Sequence, residues 1–206
     1  MKKILFILCL IIISVSVKAQ IYTGERKLGA GVTIGAFHNY YNHNYRVVAY
    51  GGFNNSLVIV IQDDEYSKRE ILLLSGEKNI KRFRDSLIQV KTIFQKWCKT
   101  AYINNIYDID KEIPTPLFVN KFIDGRNVRH NTSLFPKVHF SKRTEWNKLI
   151  IGELDFSHGA INDLEVLINL LDISYIKETI DEVISAEEMK QDRIDQVNKI
   201  LDDSIK

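Results

Sequence analysis

The segment Asp155-Phe156-Ser157-His158-Gly159 brings a carboxylate, a hydroxyl and an imidazole close together in the chain. Those are the groups of nucleophilic hydrolysis, in which an imidazole takes the serine proton and a carboxylate orients the ring. The surrounding residues do not form the G-x-S-x-G elbow that exposes a nucleophilic serine. Ser157 or Asn162 serves equally well as a helix-start residue. His158, with Asp155 or Ser157, is therefore the catalytic candidate of an alternative, hydrolase-like reading.

A second cluster lies in Phe37–Arg46 (FHNYYNHNYR). His38, Tyr40, Tyr41, His43 and Tyr45 are binding candidates of a third reading, a glycan-binding module, because aromatic rings and amides suit a sugar. The plain reading is a polar loop between strands. His38 and His43 alone do not complete a metal site, which needs three or four ligands. We expect no metal and no cofactor.

The remaining chemistry is sparse. Cys9 lies in an apolar leader and Cys98 on a helix, so once the leader is removed no intrachain disulfide can form. Free cysteine is among the most buried residue types, and Cys98 is expected to be buried and inert. Basic residues gather in Lys121, Arg126, Arg129, Lys137, Lys142, Arg143 and Lys148, opposed by Asp124 and Glu145. Their sharper reading is an anionic surface and their plain one a solvated face. Asn131-Thr132-Ser133 matches a glycosylation sequon but carries no weight behind a bacterial-type leader.

These residues must be positioned by elements that the pattern of apolar residues predicts. From Lys27 to Phe37 apolar residues alternate with Gly29, Gly31, Thr33 and Gly35, a strand with one face open to close approach. Arg46–Phe53 and Ser56–Ile61 flank Asn54-Asn55, a pair suited to a tight hairpin turn. Leu57–Ile61 and Ile71–Leu74 are continuous apolar runs joined by Asp63-Asp64-Glu65, and so are expected in the middle of a sheet. Ser75 is expected to cap a helix whose apolar stripe runs Ile80, Phe83, Leu87, Val90, Phe94, Trp97, Ala101. Its opposite face is basic. Strands are predicted again at Leu117–Ile123, Lys137–Ser141 and Lys148–Phe156. A helix is expected from a capping box at Asn162-x-x-Glu165, and then a charged amphipathic tail with Ile176, Ile180, Val183, Ile194, Val197 and Leu201. The order predicts an α+β fold: an antiparallel meander and later strands forming a sheet packed by one long amphipathic helix, with a C-terminal helical segment.

Domain organisation follows from the ends. Lys2 and Lys3 precede an apolar run from Ile4 to Val17, and Val17-Lys18-Ala19 fits a peptidase site before Gln20. A run of this length is short of the roughly 17–25 residues that span a bilayer. Residues 1–19 are thus expected to be a cleavable signal, 20–174 one domain and 175–206 the tail, with no transmembrane span after cleavage. The whole chain holds 28 basic and 26 acidic residues, and losing Lys2, Lys3 and Lys18 leaves 25 against 26. That balance gives no drive toward nucleic acid. N-terminal sequencing of the exported protein is expected to begin at Gln20 or within a residue or two. An intact Met1 in the membrane pellet would instead mean an uncleaved anchor.

The leading functional expectation is an exported, non-enzymatic interaction protein of the bacterial periplasm or cell surface. Ile194, Val197 and Leu201 would meet a protein partner or a second copy. The polar stretch Glu187–Asp192 interrupts the stripe, so the residues from about Glu187 onward are expected to form a separate, loosely attached helix.

Overall fold

A computed structural model describes residues 31–38, 44–51, 57–63, 70–124, 127–152 and 154–203. The turn expected at Asn54-Asn55, the signal, and Asp64 and Glu65 of the turn expected at Asp63-Asp64-Glu65 lie outside the described residues, while Asp63 ends a strand.

Strands β1 (Val32–His38), β2 (Asn44–Gly51), β3 (Leu57–Asp63) and β4 (Glu70–Ser75) form the expected antiparallel meander. Helix α1 (Glu77–Ile103) follows, then β5 (Ile109–Glu112), β6 (Leu117–Asp124), β7 (Asn127–Leu134) and β8 (Lys137–Phe140). A 3-10 turn at Thr144–Trp146 leads to β9 (Lys148–Ile151) and β10 (Leu154–Ser157). A second 3-10 turn, His158–Ala160, opens onto α2 (Ile161–Leu170) and α3 (Ile173–Asp203).

The protein is an α+β fold with long α1 packed on antiparallel sheet. The later strands divide between two sheets. β6 and β7 extend the meander to the order β1-β2-β3-β4-β6-β7, and the others form β10-β9-β8-β5. The apolar runs of β3 and β4 sit centrally, as continuous hydrophobicity requires. Val47, Ile61, Leu72 and Phe122 lie opposite one another across four strands, and all are buried in a core that both sheets share. Burying each such side chain contributes about 1.5–3 kcal/mol.

Several local expectations are corrected. Ser75 is not the cap of α1. It ends β4, and its amide donates to Asn120 Oδ1 at 2.7 Å, while Gly76 occupies the cap position with φ 79°. The buried stripe of α1 passes through Cys98 rather than Trp97. Trp97 is half-buried at the margin, with the Lys111 ammonium 4.6 Å from its ring centre. Lys148–Phe156 is a hairpin of two strands, because Gly152 adopts φ 64° and turns the chain. Asn162 does not cap α2. Ala160 precedes the helix without a side-chain bond, and Glu165 pairs with Lys91 of α1.

The close approach expected at the glycines is present at Gly31, just before β1, and at Gly35 within it, while Gly29 lies outside the described residues. A methyl at Gly35 would fall 2.4 Å from Leu170 of α2, and one at Gly31 would fall 2.3 Å from Val48. A register shift between Thr33 and Gly35 explains why the two glycines meet different neighbours, and why Val32, Ile34 and Phe37 are the buried residues. The basic face of α1 is used partly at home: Arg84 pairs with Asp172 at 3.1 Å and donates to the Ile168 carbonyl. Such partly exposed pairs are worth about 0–1 kcal/mol each.

Candidate functional site

An open cleft of about 430 Å³ is lined by Lys99, Tyr102, Thr144, Glu145 and His158. Lys99 and Tyr102 stand three residues apart on α1 and so share its face. Thr144 and Glu145 come from the first 3-10 turn and His158 from the second.

The cleft stands on a buried polar scaffold. Among the described residues Asn147 and Ser157 are the buried polar ones, and both lie at these two turns. The Asn147 amide N–H donates to the Thr144 carbonyl at 3.1 Å, and its carbonyl accepts from the His158 N–H at 2.8 Å. Asn147 Oδ1 accepts from the Ser141 N–H at 2.7 Å, and its side-chain amide lies beside the Cys98 thiol. Ser157 Oγ donates to the Glu145 carbonyl at 2.6 Å and accepts from the Gly159 N–H at 3.2 Å. A methyl on Gly159 would meet Glu145 at 3.2 Å, so the two turns are packed against each other. Buried polar groups are costly unless satisfied, and a satisfied network fixes geometry. This one fixes the cleft wall.

His158 packs edge-on to Phe94 with ring centres 5.8 Å apart. Burial lowers its pKa below the ordinary imidazole value, which favours the neutral ring. The sign is that of a depressed base: this contribution to stability is present above the ordinary pKa and is lost as pH falls through the folded value. Cys98 is fully buried and its pKa is raised to about 11 by desolvation, slightly offset by Asn147. Its protonated form is favoured on folding, a contribution present below pH 9 and lost as pH rises toward 11.

The structure places the other candidates as follows. Asp155 lies 3.9 Å from Lys148, and the Ser157 hydroxyl is committed to the Glu145 carbonyl. No hydrogen bond among the described residues joins the His158 ring to Asp155 or Ser157. The carboxylate that shares a cleft with His158 is Glu145. Sequence proximity missed it because Glu145 arrives through tertiary packing. Ser157 is a helix-start residue, capping the second 3-10 turn.

Tyr45 belongs to β2 and not to a loop. It is buried and stacks on Phe37 at 5.0 Å, which removes its ring from a solvent-facing platform. Tyr40, Tyr41 and His43, and the His38 side chain, lie outside the described residues. The basic residues of 121–148 are dispersed. Lys121 and Arg129 belong to one sheet and Lys137 and Lys148 to the other. Arg129 covers the Phe122 ring and Arg143 the Trp146 ring. Arg126 lies outside the described residues.

The tail is not a separate helix. α3 runs unbroken from Ile173 to Asp203. Its first half docks through Ile176 and Ile180, with Val183 and Ile184 partly buried. Beyond Glu187 the side chains described are exposed, including Met189, Ile194 and Val197 at 67, 38 and 48%. The side chain of Leu201 lies outside the described residues. In sequence, Ile173, Ile176, Ile180, Val183, Glu187, Lys190, Ile194, Val197 and Leu201 hold one 3-4 spacing, with the two charged positions where the helix leaves the domain. The gap is therefore a change of surroundings and not a break.

Comparison with protein-family models, with curated protein sequences and with solved structures finds no match.

Proposed function

We propose that this chain is an exported, non-enzymatic interaction protein of the bacterial periplasm or cell surface, and that the distal half of α3 is its contact element. One observation carries the reading: α3 continues for about five turns past Ile184, its last docked residue, while its sequence keeps an apolar stripe in register. An isolated helix of this length is marginal in water, and burying its stripe against another helix would stabilise it. Ile194 and Leu201 at one heptad position and Val197 at the other suit such pairing. The partner is another protein or a second copy of this chain.

The side chains described between Glu188 and Asn198 are exposed, and exposed residues contribute little to the stability of the domain that carries them. Truncation before Glu187 is therefore expected to change unfolding free energy by less than about 0.5 kcal/mol. The same truncation should abolish association of the intact protein in sedimentation velocity, alone or with a co-purified partner. A large fall in stability would show the segment to be ordinary core. Unchanged association would place the contact elsewhere.

A further inference from the structure

We propose that the cleft formed by Lys99, Tyr102, Thr144, Glu145 and His158 is a binding site for one or two sugar residues, independent of the contact element on α3. Three features of the cleft support this class of ligand.

The first is the wall. Tyr102 is 73% exposed at the rim, so one ring face is free to stack on the C–H face of a pyranose. The second is the polar lining. Lys99 donates, Glu145 accepts, and the Thr144 hydroxyl and neutral His158 ring can do either. Groups of both signs in one arc do not select an anion or a cation. They suit a ligand whose hydroxyls are donors and acceptors at once. The third is preorganisation. The cleft is within the range of small-ligand sites, roughly 300–1,000 Å³. Its far wall is fixed by the buried Asn147 and Ser157 bonds, which lowers the cost of ordering the lining on binding.

The sequence suggests a sugar platform at the tyrosines of Phe37–Arg46, but Tyr45 is consumed by the core. An exposed aromatic ring beside convergent polar groups stands instead at Tyr102.

The test is a titration of the intact, isotope-labelled protein with a panel of mono- to trisaccharides. The panel is built from hexoses, N-acetylhexosamines and uronic acids and is followed by amide NMR shifts. At least one sugar should shift the amides around residues 99–102, 144–146 and 158–159 in a saturable way. Tyr102→Ala, an exposed change that leaves folding intact, should weaken that sugar about tenfold. Tyr107→Ala, exposed but outside the cleft, should not weaken it. The proposal is overturned if no sugar in the panel shifts these amides, if the shifts fall elsewhere, or if Tyr102→Ala leaves affinity unchanged while the spectrum confirms the fold.

Discussion

Phe94→Ala is expected to cost about 3–5 kcal/mol of unfolding free energy, read from the shift of a urea denaturation midpoint at constant slope. Phe94 is fully buried on the inner stripe of α1, in contact with the second 3-10 turn through His158. Truncation removes a large ring from a close-packed interior and leaves a cavity that the surrounding strands and helices cannot fully close. Trp97→Ala provides the internal comparison. Its ring lies at the edge of the same core beneath Lys111. It should lose only part of its burial and a cation–π contact worth about 0.5–1 kcal/mol, for a total of roughly 1–2 kcal/mol. Equal losses for the two variants would mean that α1 is rotated from the orientation described.

Asn147→Ala should be the second large effect, although Asn147 is polar and its removed atoms are few. The variant leaves the part-buried Ser141 N–H without its acceptor and the interior Cys98 thiol without its amide neighbour. An abandoned buried donor costs about 1–3 kcal/mol. With the added cavity, a total of roughly 2–4 kcal/mol is expected. Two readouts separate this from a generic core defect. In the native protein Cys98 should resist a thiol reagent until the protein unfolds, because the side chain is buried and its pKa is raised to about 11. In Asn147→Ala it should become reactive under native conditions, as the turns above it loosen. The amide signals of residues 144–146 and 158–159 should broaden or shift while those of β2 and β3 hold. A stable variant with an unreactive thiol would show that the scaffold does not depend on this residue.

These two side chains mark where sequence reading succeeds and where it stops. The inner face of α1 was legible because a helix buries every third or fourth residue, and Ile80, Phe83, Leu87, Val90 and Phe94 are apolar at that spacing. The central place of β3 and β4 was legible because only a strand covered on both faces tolerates an unbroken apolar run. The stripe diverged at Trp97 and Cys98, adjacent residues that are both admissible at the helix boundary of the core. The smaller faces the crowded interior, and the larger lies at the rim where its ring can meet Lys111.

Residue types and their periods determined the α+β class, the meander, the long helix and the apolar stripe of the tail. Tertiary structure alone decided how the later strands divide between two sheets, since pairing partners are chosen by packing and register and not by local propensity. It also decided that α3 stays continuous past Glu187, where a polar pair marks the end of the domain and leaves the helix intact. The cleft is the clearest case. Lys99 and Tyr102, Thr144 and Glu145, and His158 come from three separate stretches of chain. No spacing rule links them, because Asn147 and Ser157 join the two turns through their buried hydrogen bonds, and α1 meets those turns by packing, with Phe94 edge-on to His158.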